Sequence, residues 1–225
     1  MSRELSSKMR AYMAEIYRLI DRQPDAAKNV TSSKLADWLF VSPPAVNRMV
    51  NRLSELGLLV HQPYQGITIT ERGRTEALKH IRCQRIAETF LVHVMNINWL
   101  TAHEEAQRLS DGLSDAVVQR MFEMTGEPAA CPHGEPIPDA QGKLPPASDV
   151  FLSEIGAGSR IRITRLITRE SDRLQYIEAL GLVPGQVCEV IHVAPFDGPM
   201  QLKLGREFRI IGDSLAKLIR AEVLE

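Results

Sequence analysis

The chain of 225 residues has no run of about 18 apolar residues, so nothing in it reads as a membrane span. Its first residues, Met1-Ser2-Arg3-Glu4-Leu5, lack the apolar core of a secretory signal, and the expected location is the cytoplasm. Cysteine is scarce. Cys83, Cys131 and Cys188 are scattered and odd in number, which excludes a disulfide framework and fits a reducing compartment. There is no zinc-type CxxC pair, no Walker loop and no nucleophile elbow. With no catalytic constellation in view, the chain is expected not to be an enzyme. Nor is there a surplus of either charge: 27 Lys and Arg against 28 Asp and Glu leave a net charge of −1. That balance decides nothing about a nucleic-acid partner, because charge can be segregated. A hydrophobic fraction of 44% is ordinary for a soluble globular protein, and the length allows one large domain or two to three small ones.

What is present begins with residues 30–77. Residues 7–21 carry Met9, Tyr12, Met13, Ile16, Tyr17, Leu19 and Ile20 at helical spacing, the first helix of a domain. A second helix follows Thr31. A third starts at Ser42, an N-cap residue, with Pro43 at the first helical position. Val46, Met49, Val50, Leu53 and Leu56 form its buried stripe. Asn47, Arg48, Asn51 and Arg52 share the opposite face, and Arg and Asn are the side chains suited to paired hydrogen bonds with guanine and adenine edges in the major groove. Gly57 stops the helix. Leu58–His61 and Gly66–Thr70 then alternate like two strands around Gln62-Pro63-Tyr64-Gln65. Helix, turn, helix and hairpin in this order spell a winged helix-turn-helix, a reader of double-stranded DNA. Arg48, Asn47 and Pro44 are expected at base edges, with Ser42, Arg52 and the wing around Tyr64 and Gln65 on phosphates.

Thr70 is expected to cap a long helix to about Asn96, and Thr101 another over 102–124. Both carry wide apolar faces that a second copy would bury, predicting a homodimer and hence a palindromic DNA site. Residues 125–148 are rich in Gly and Pro and read as an irregular arm. From residue 150, short strands with Gly turns and one helix, Ser171–Leu180, indicate a small β-barrel of about 75 residues.

In this three-part order the chain resembles the diphtheria toxin repressor / manganese transport regulator family over nearly its whole length. The residues that carry the resemblance are Ser42-x-Pro44-x-Val46, Arg85-Ile86-Ala87-Glu88, His103-Glu104-Glu105-Ala106 and Cys131-Pro132-His133-Gly134-Glu135-Pro136-Ile137-Pro138, together with Ala179–Gly185 and Ala194–Pro199, similar to the FeoA-like barrel of the long members. The resemblance implies an α+β multidomain protein. A winged helix-turn-helix domain spans 1–74, a helical dimerisation and metal-binding domain 75–140, a linker 141–149 and a FeoA-like barrel 150–225.

The resemblance also implies two metal sites, and there the chain departs from the pattern. The primary site matches Ala11, Gln107, Ser110 and Asp111, of which only Asp111 is a normal ligand for a hard cation. The ancillary site matches Gln84, Glu88, His103, Glu170 and Arg173, next to an anion-holding Arg85. Glu135 falls where the family has a neutral anion-binding residue, so its carboxylate can stand in for the anion. Glu88, His103, Glu135 and Glu170 would give three oxygens and one nitrogen, a set suited to manganese or iron, and Cys131 beside them would tilt the choice toward iron or zinc. Arg173 offers a substitute lock by pairing with Glu88 or Glu170. His133 is left open, whereas His80, His93 and His192 read as structural. The expected function is a metal-dependent, operator-binding transcriptional regulator, a repressor of metal-homeostasis genes. The missing ligands keep a second reading in play, a metal-independent DNA binder of the same fold.

Overall fold

The computed structural model describes residues 5–22, 29–62 and 66–224, so Tyr64 and Gln65 lie outside the described residues. The chain divides into two units, one of residues 1–83 with 138–144, the other of 84–137 with 145–225.

The first unit is built on caps and Gly stops that the sequence announces. Helix α1 is Ser7–Asp21, capped by the Ser6 hydroxyl accepting from the Met9 N–H. Helix α2 is Ser32–Leu39, capped in the same way by Thr31. Helix α3 is Pro43–Glu55. Gly57, at φ 70°, ends it in a Schellman motif: the Gly57 N–H reaches the Ser54 carbonyl and the Leu58 N–H the Leu53 carbonyl. Ser42 stands at the N-cap of α3 in extended conformation, yet its hydroxyl makes no capping bond. The cause is local. Pro44 has no N–H to offer, and the Ala45 N–H already bonds the Ser42 carbonyl. Strands β1 (Leu59–Gln62) and β2 (Gly66–Ile69) pair antiparallel. Met13, Ile16, Leu35, Val46, Val50, Leu53, Leu58 and Ile67 are fully buried in one core, with Met49 and Leu56 at its edge.

Helix α4 runs Glu71–His93, its first turn capped by Thr70, whose hydroxyl accepts from the Gly73 N–H. Gly73 is there for space: a Cβ would lie 2.0 Å from the Leu58 carbonyl oxygen. Part of the Pro-rich arm packs on this unit, with Leu144 against the core and Arg82 donating to the Pro138 carbonyl.

In the second unit the expected helix over 102–124 is two helices, α5 (Ala102–Ser110) and α6 (Asp115–Met124). Gly112 disfavours continuation, and the Ser114 hydroxyl opens a new helix by accepting from the Val117 N–H. The C-terminal part holds β3 (Val150–Phe151), β4 (Arg160–Leu166), α7 (Ser171–Ala179), β5 (Val187–Val193), β6 (Met200–Leu204), β7 (Glu207–Ile211), a short α8 (Asp213–Ala216) and β8 (Ile219–Leu224). These strands form one antiparallel sheet in the order β3-β8-β4-β5-β6-β7, and its two edge strands do not pair among the described residues, so the expected barrel is an open sheet. Leu152, Ile161, Ile163, Leu174, Ile177 and Leu202 fill its core.

Gly73→Ala tests the packing of α4. A helix interior ordinarily gains up to about 1 kcal/mol from Gly→Ala. Here the clash should reverse the sign and cost roughly 1–3 kcal/mol, measured by urea unfolding; a stabilised variant would show that α4 is not held against the β1 segment.

Candidate metal centre

Three segments distant in sequence converge in the second unit. Glu88 lies on α4, fully enclosed at 2% exposure. The arm supplies Cys131 and His133 from a tight turn in which the Gly134 N–H bonds the Cys131 carbonyl and the Cys131 N–H bonds the Glu135 carbonyl. Gly134, at φ 80°, permits both the turn and its closeness to β4, since a Cβ there would sit 2.0 Å from the Thr164 carbonyl oxygen. The Leu166 N–H donates to the His133 carbonyl and fixes the turn to the end of β4. The Trp99 ring lies 5.1 Å from that of His133.

One ligand atom each from Glu88, Cys131 and His133 lie within 4.8 Å of one another, all three residues buried. Oε1 of Glu88 is 3.0 Å from Nδ1 of His133 and 3.6 Å from Nδ1 of His103 on α5. Neither contact has hydrogen-bond geometry: Glu88 Oε1 and His133 Nε2 are buried without a hydrogen-bond partner. Unpaired buried polar atoms are costly, and a cation bound by the cluster would give the Glu88 oxygen a partner. A carboxylate, an imidazole and a thiol together suit a divalent transition metal, so the residues present fit the ion that such a site takes.

The charges around this cluster are arranged for it. Burial alone would raise the Glu88 carboxyl, but His103 and His133 beside it hold it well below the usual range. The Cys131 thiol moves the other way: burial, then the Glu88 and Glu135 carboxylates, push it well above the ordinary thiol value. Glu135 is buried next to the cluster and pairs with two arginines, Arg85 at 2.9 Å and Arg169 from the segment entering α7. Arg85 also donates to the Pro136 carbonyl.

The structure brings together Glu88, His103 and Glu135 of the expected ligands and adds Cys131 and His133. Glu135 faces arginines rather than the cluster. Glu170 is exposed at the start of α7 and pairs with Arg173 at 2.8 Å. The cations beside Glu135 are therefore Arg85, buried, and Arg169, partly buried, whereas Arg173 makes the expected pair with Glu170 on the surface. Asp111 is exposed at the end of α5, and Ser110 spends its hydroxyl on the Gln107 carbonyl. In the first unit Ser42, Pro44, Asn47 and Arg48 are exposed on α3, and Arg52 pairs with Glu55. A groove of about 290 Å³ beside them is lined by Lys8, Tyr12, Arg48 and Arg52. Lys8 escaped the sequence reading because its position is set by how α1 packs on α3.

With this geometry in hand, comparison with known proteins is decisive. The profile of the iron dependent repressor N-terminal DNA binding domain matches residues 4–67, that of the iron dependent repressor metal binding and dimerisation domain residues 70–139, and that of the FeoA domain residues 150–223. The chain belongs to the iron-dependent repressor family. It is 33% identical over 117 residues to an HTH-type transcriptional regulator of Methanocaldococcus jannaschii, covering 52% of this chain and 91% of that one. It is 28% identical over 231 residues to the iron-dependent repressor IdeR of Mycobacterium tuberculosis, covering 97% and 98%. A manganese-dependent transcriptional repressor solved in complex with manganese superposes with a TM-score of 0.88 at 26% identity, covering 96% of this chain and all of that one. This family member is thus a DNA-binding transcriptional regulator and not an enzyme. Among the described residues no helix is long and apolar enough to cross a membrane.

Because the Cys131 thiol is held protonated, metal uptake through it must release a proton. Calorimetric titration of the metal-free protein with manganese or ferrous iron, in buffers of different ionisation enthalpy, should report close to one proton lost per ion near neutral pH, and affinity should rise with pH. In Cys131→Ser the proton release should vanish; its persistence would place the proton elsewhere.

Proposed function

We propose that this protein is an iron- or manganese-dependent repressor of metal-homeostasis genes that binds a palindromic operator as a homodimer in the cytoplasm, with Glu88, Cys131 and His133 as the core of its metal site. The observation that carries this reading is the buried cluster itself, in which ligand atoms of Glu88, Cys131 and His133 lie within 4.8 Å of one another and the Glu88 oxygen has no hydrogen-bond partner. When bound, a divalent ion supplies the charge that lets these three side chains share one small volume. Everything else is the work of the chain. Gly134 lets the arm approach β4, the pairing of Arg85 with Glu135 keeps that carboxylate from repelling Glu88, and Trp99 walls the His133 ring. Zinc is the competing ion, since the thiol favours softer cations.

For the DNA-binding face, Arg48 and Asn47 read bases and Pro44 abuts them. Ser42, with its unspent hydroxyl, and Arg52 hold phosphates, and Lys8 adds a third cation to the groove beside α3. Gln65 on the wing belongs to the same expectation.

Selection of random duplex DNA on the purified protein, run with manganese, with ferrous iron and with a chelator, tests the reading. A palindrome enriched only with metal is expected; the same palindrome under chelation would mean that the reader has lost its metal switch. On that selected site, Arg48→Ala should cost roughly 1–3 kcal/mol and relax sequence preference. Equal weakening on all DNA would reassign Arg48 to a phosphate.

A further inference from the structure

Arg169 is the least expected member of the site. Nη2 of its guanidinium donates to Glu135, and Nη1 stands 3.0 Å from Nδ1 and 2.9 Å from Nε2 of His103. One atom can be that close to both nitrogens of an imidazole only from over the ring face, because in the ring plane the carbon between them is in the way. An N–H of the guanidinium is therefore aimed at the face of the His103 ring, an approach open to a cation. In that pose the ring keeps its Nδ1 at 3.6 Å from Glu88 Oε1, the same oxygen that His133 Nδ1 approaches to 3.0 Å.

We propose that Arg169 is a positioning residue that sets His103 as a fourth donor to the metal cluster, and that Glu135 acts by anchoring Arg169. The inference rests on Glu88, Cys131 and His133 being the metal ligands. Its logic is one of placement. His103 sits on the first turn of α5. The ring is aimed by a cation from the segment between β4 and α7, and that cation is aimed by a carboxylate from the arm. Metal occupancy then depends on the C-terminal sheet without any ligand coming from it. The same role accounts for Glu135, buried beside the cluster, turning its oxygens to Arg85 and Arg169.

The test uses the full-length protein and cobalt(II) as the probe ion. A thiolate-to-cobalt absorption reports Cys131, and the intensity of the visible bands reports coordination number. Arg169→Ala and His103→Ala should each keep the thiolate band, weaken cobalt binding about 10–100-fold and change the visible bands alike. The double variant should lose little more than either single one, because both remove the same donor. Arg169→Lys should not rescue, since one ammonium nitrogen cannot take the separate places of Nη1 on His103 and Nη2 on Glu135. Glu135→Gln, which keeps the arm's shape, should move the spectrum in the same direction if Arg169→Ala fails to fold. Unchanged cobalt spectra in Arg169→Ala, additive losses in the double variant, or rescue by Lys would each overturn the proposal. Failure of the underlying reading looks different: no thiolate band in the unaltered protein, or a band that survives Cys131→Ser.

Discussion

A buried carboxylate has to be matched by positive charge, and this requirement organises the second unit. Glu88 and Glu135 lie in the same enclosed region and are both shielded from water. The cost of removing two such charges from water is several kcal/mol each unless partners are supplied. Glu135 is supplied with Arg85 and Arg169. Glu88 is supplied only with imidazoles, whose contacts lack hydrogen-bond geometry, and it keeps an unsatisfied oxygen. The asymmetry separates the two carboxylates: Glu135 is neutralised by arginines of the fold, whereas Glu88 has imidazoles beside it.

Most of the architecture was legible because it is written in local rules. The periodicity of 7–21, the caps at Thr31 and Thr70 and the Gly57 stop act within one or two turns, and each element appears where its signal stands. The helix over 102–124 broke because a strong apolar period outweighed two quieter signals, Gly112 and Ser114. The closure of the barrel was overestimated for the opposite reason. Short strands announce themselves one at a time, but which edges meet depends on twist and register across the whole sheet.

The site was legible in part. Glu88 and His103 came from the family resemblance, and Glu135, singled out as a carboxylate where the family has a neutral residue, lies buried beside them and pairs with Arg85 and Arg169. His133 was left undecided because an irregular arm has no periodicity from which to read direction. A usable signal was there: Cys131 and His133, two apart and followed by a Gly that takes positive φ, form a turn that can present both side chains to one side. Arg169 and Glu170 show the limit more sharply. One residue separates a partly buried cation from a solvent-exposed acid, and that difference is set by where the chain leaves β4 and starts α7, a tertiary fact.

The dispersion of the donors along the chain has a consequence for the protein's lifetime. On the proposed reading, Glu88 joins the Cys131–His133 pair only in the folded protein, so the unfolded chain offers an ion two neighbouring donors rather than the full set. An ion that binds the native form alone stabilises it by mass action, in proportion to the logarithm of free metal over its dissociation constant. Metal-starved cells would then hold a regulator that is both unloaded and more readily opened to proteolysis. Scarcity would reach the regulated genes twice, through the occupancy of the protein and through its abundance.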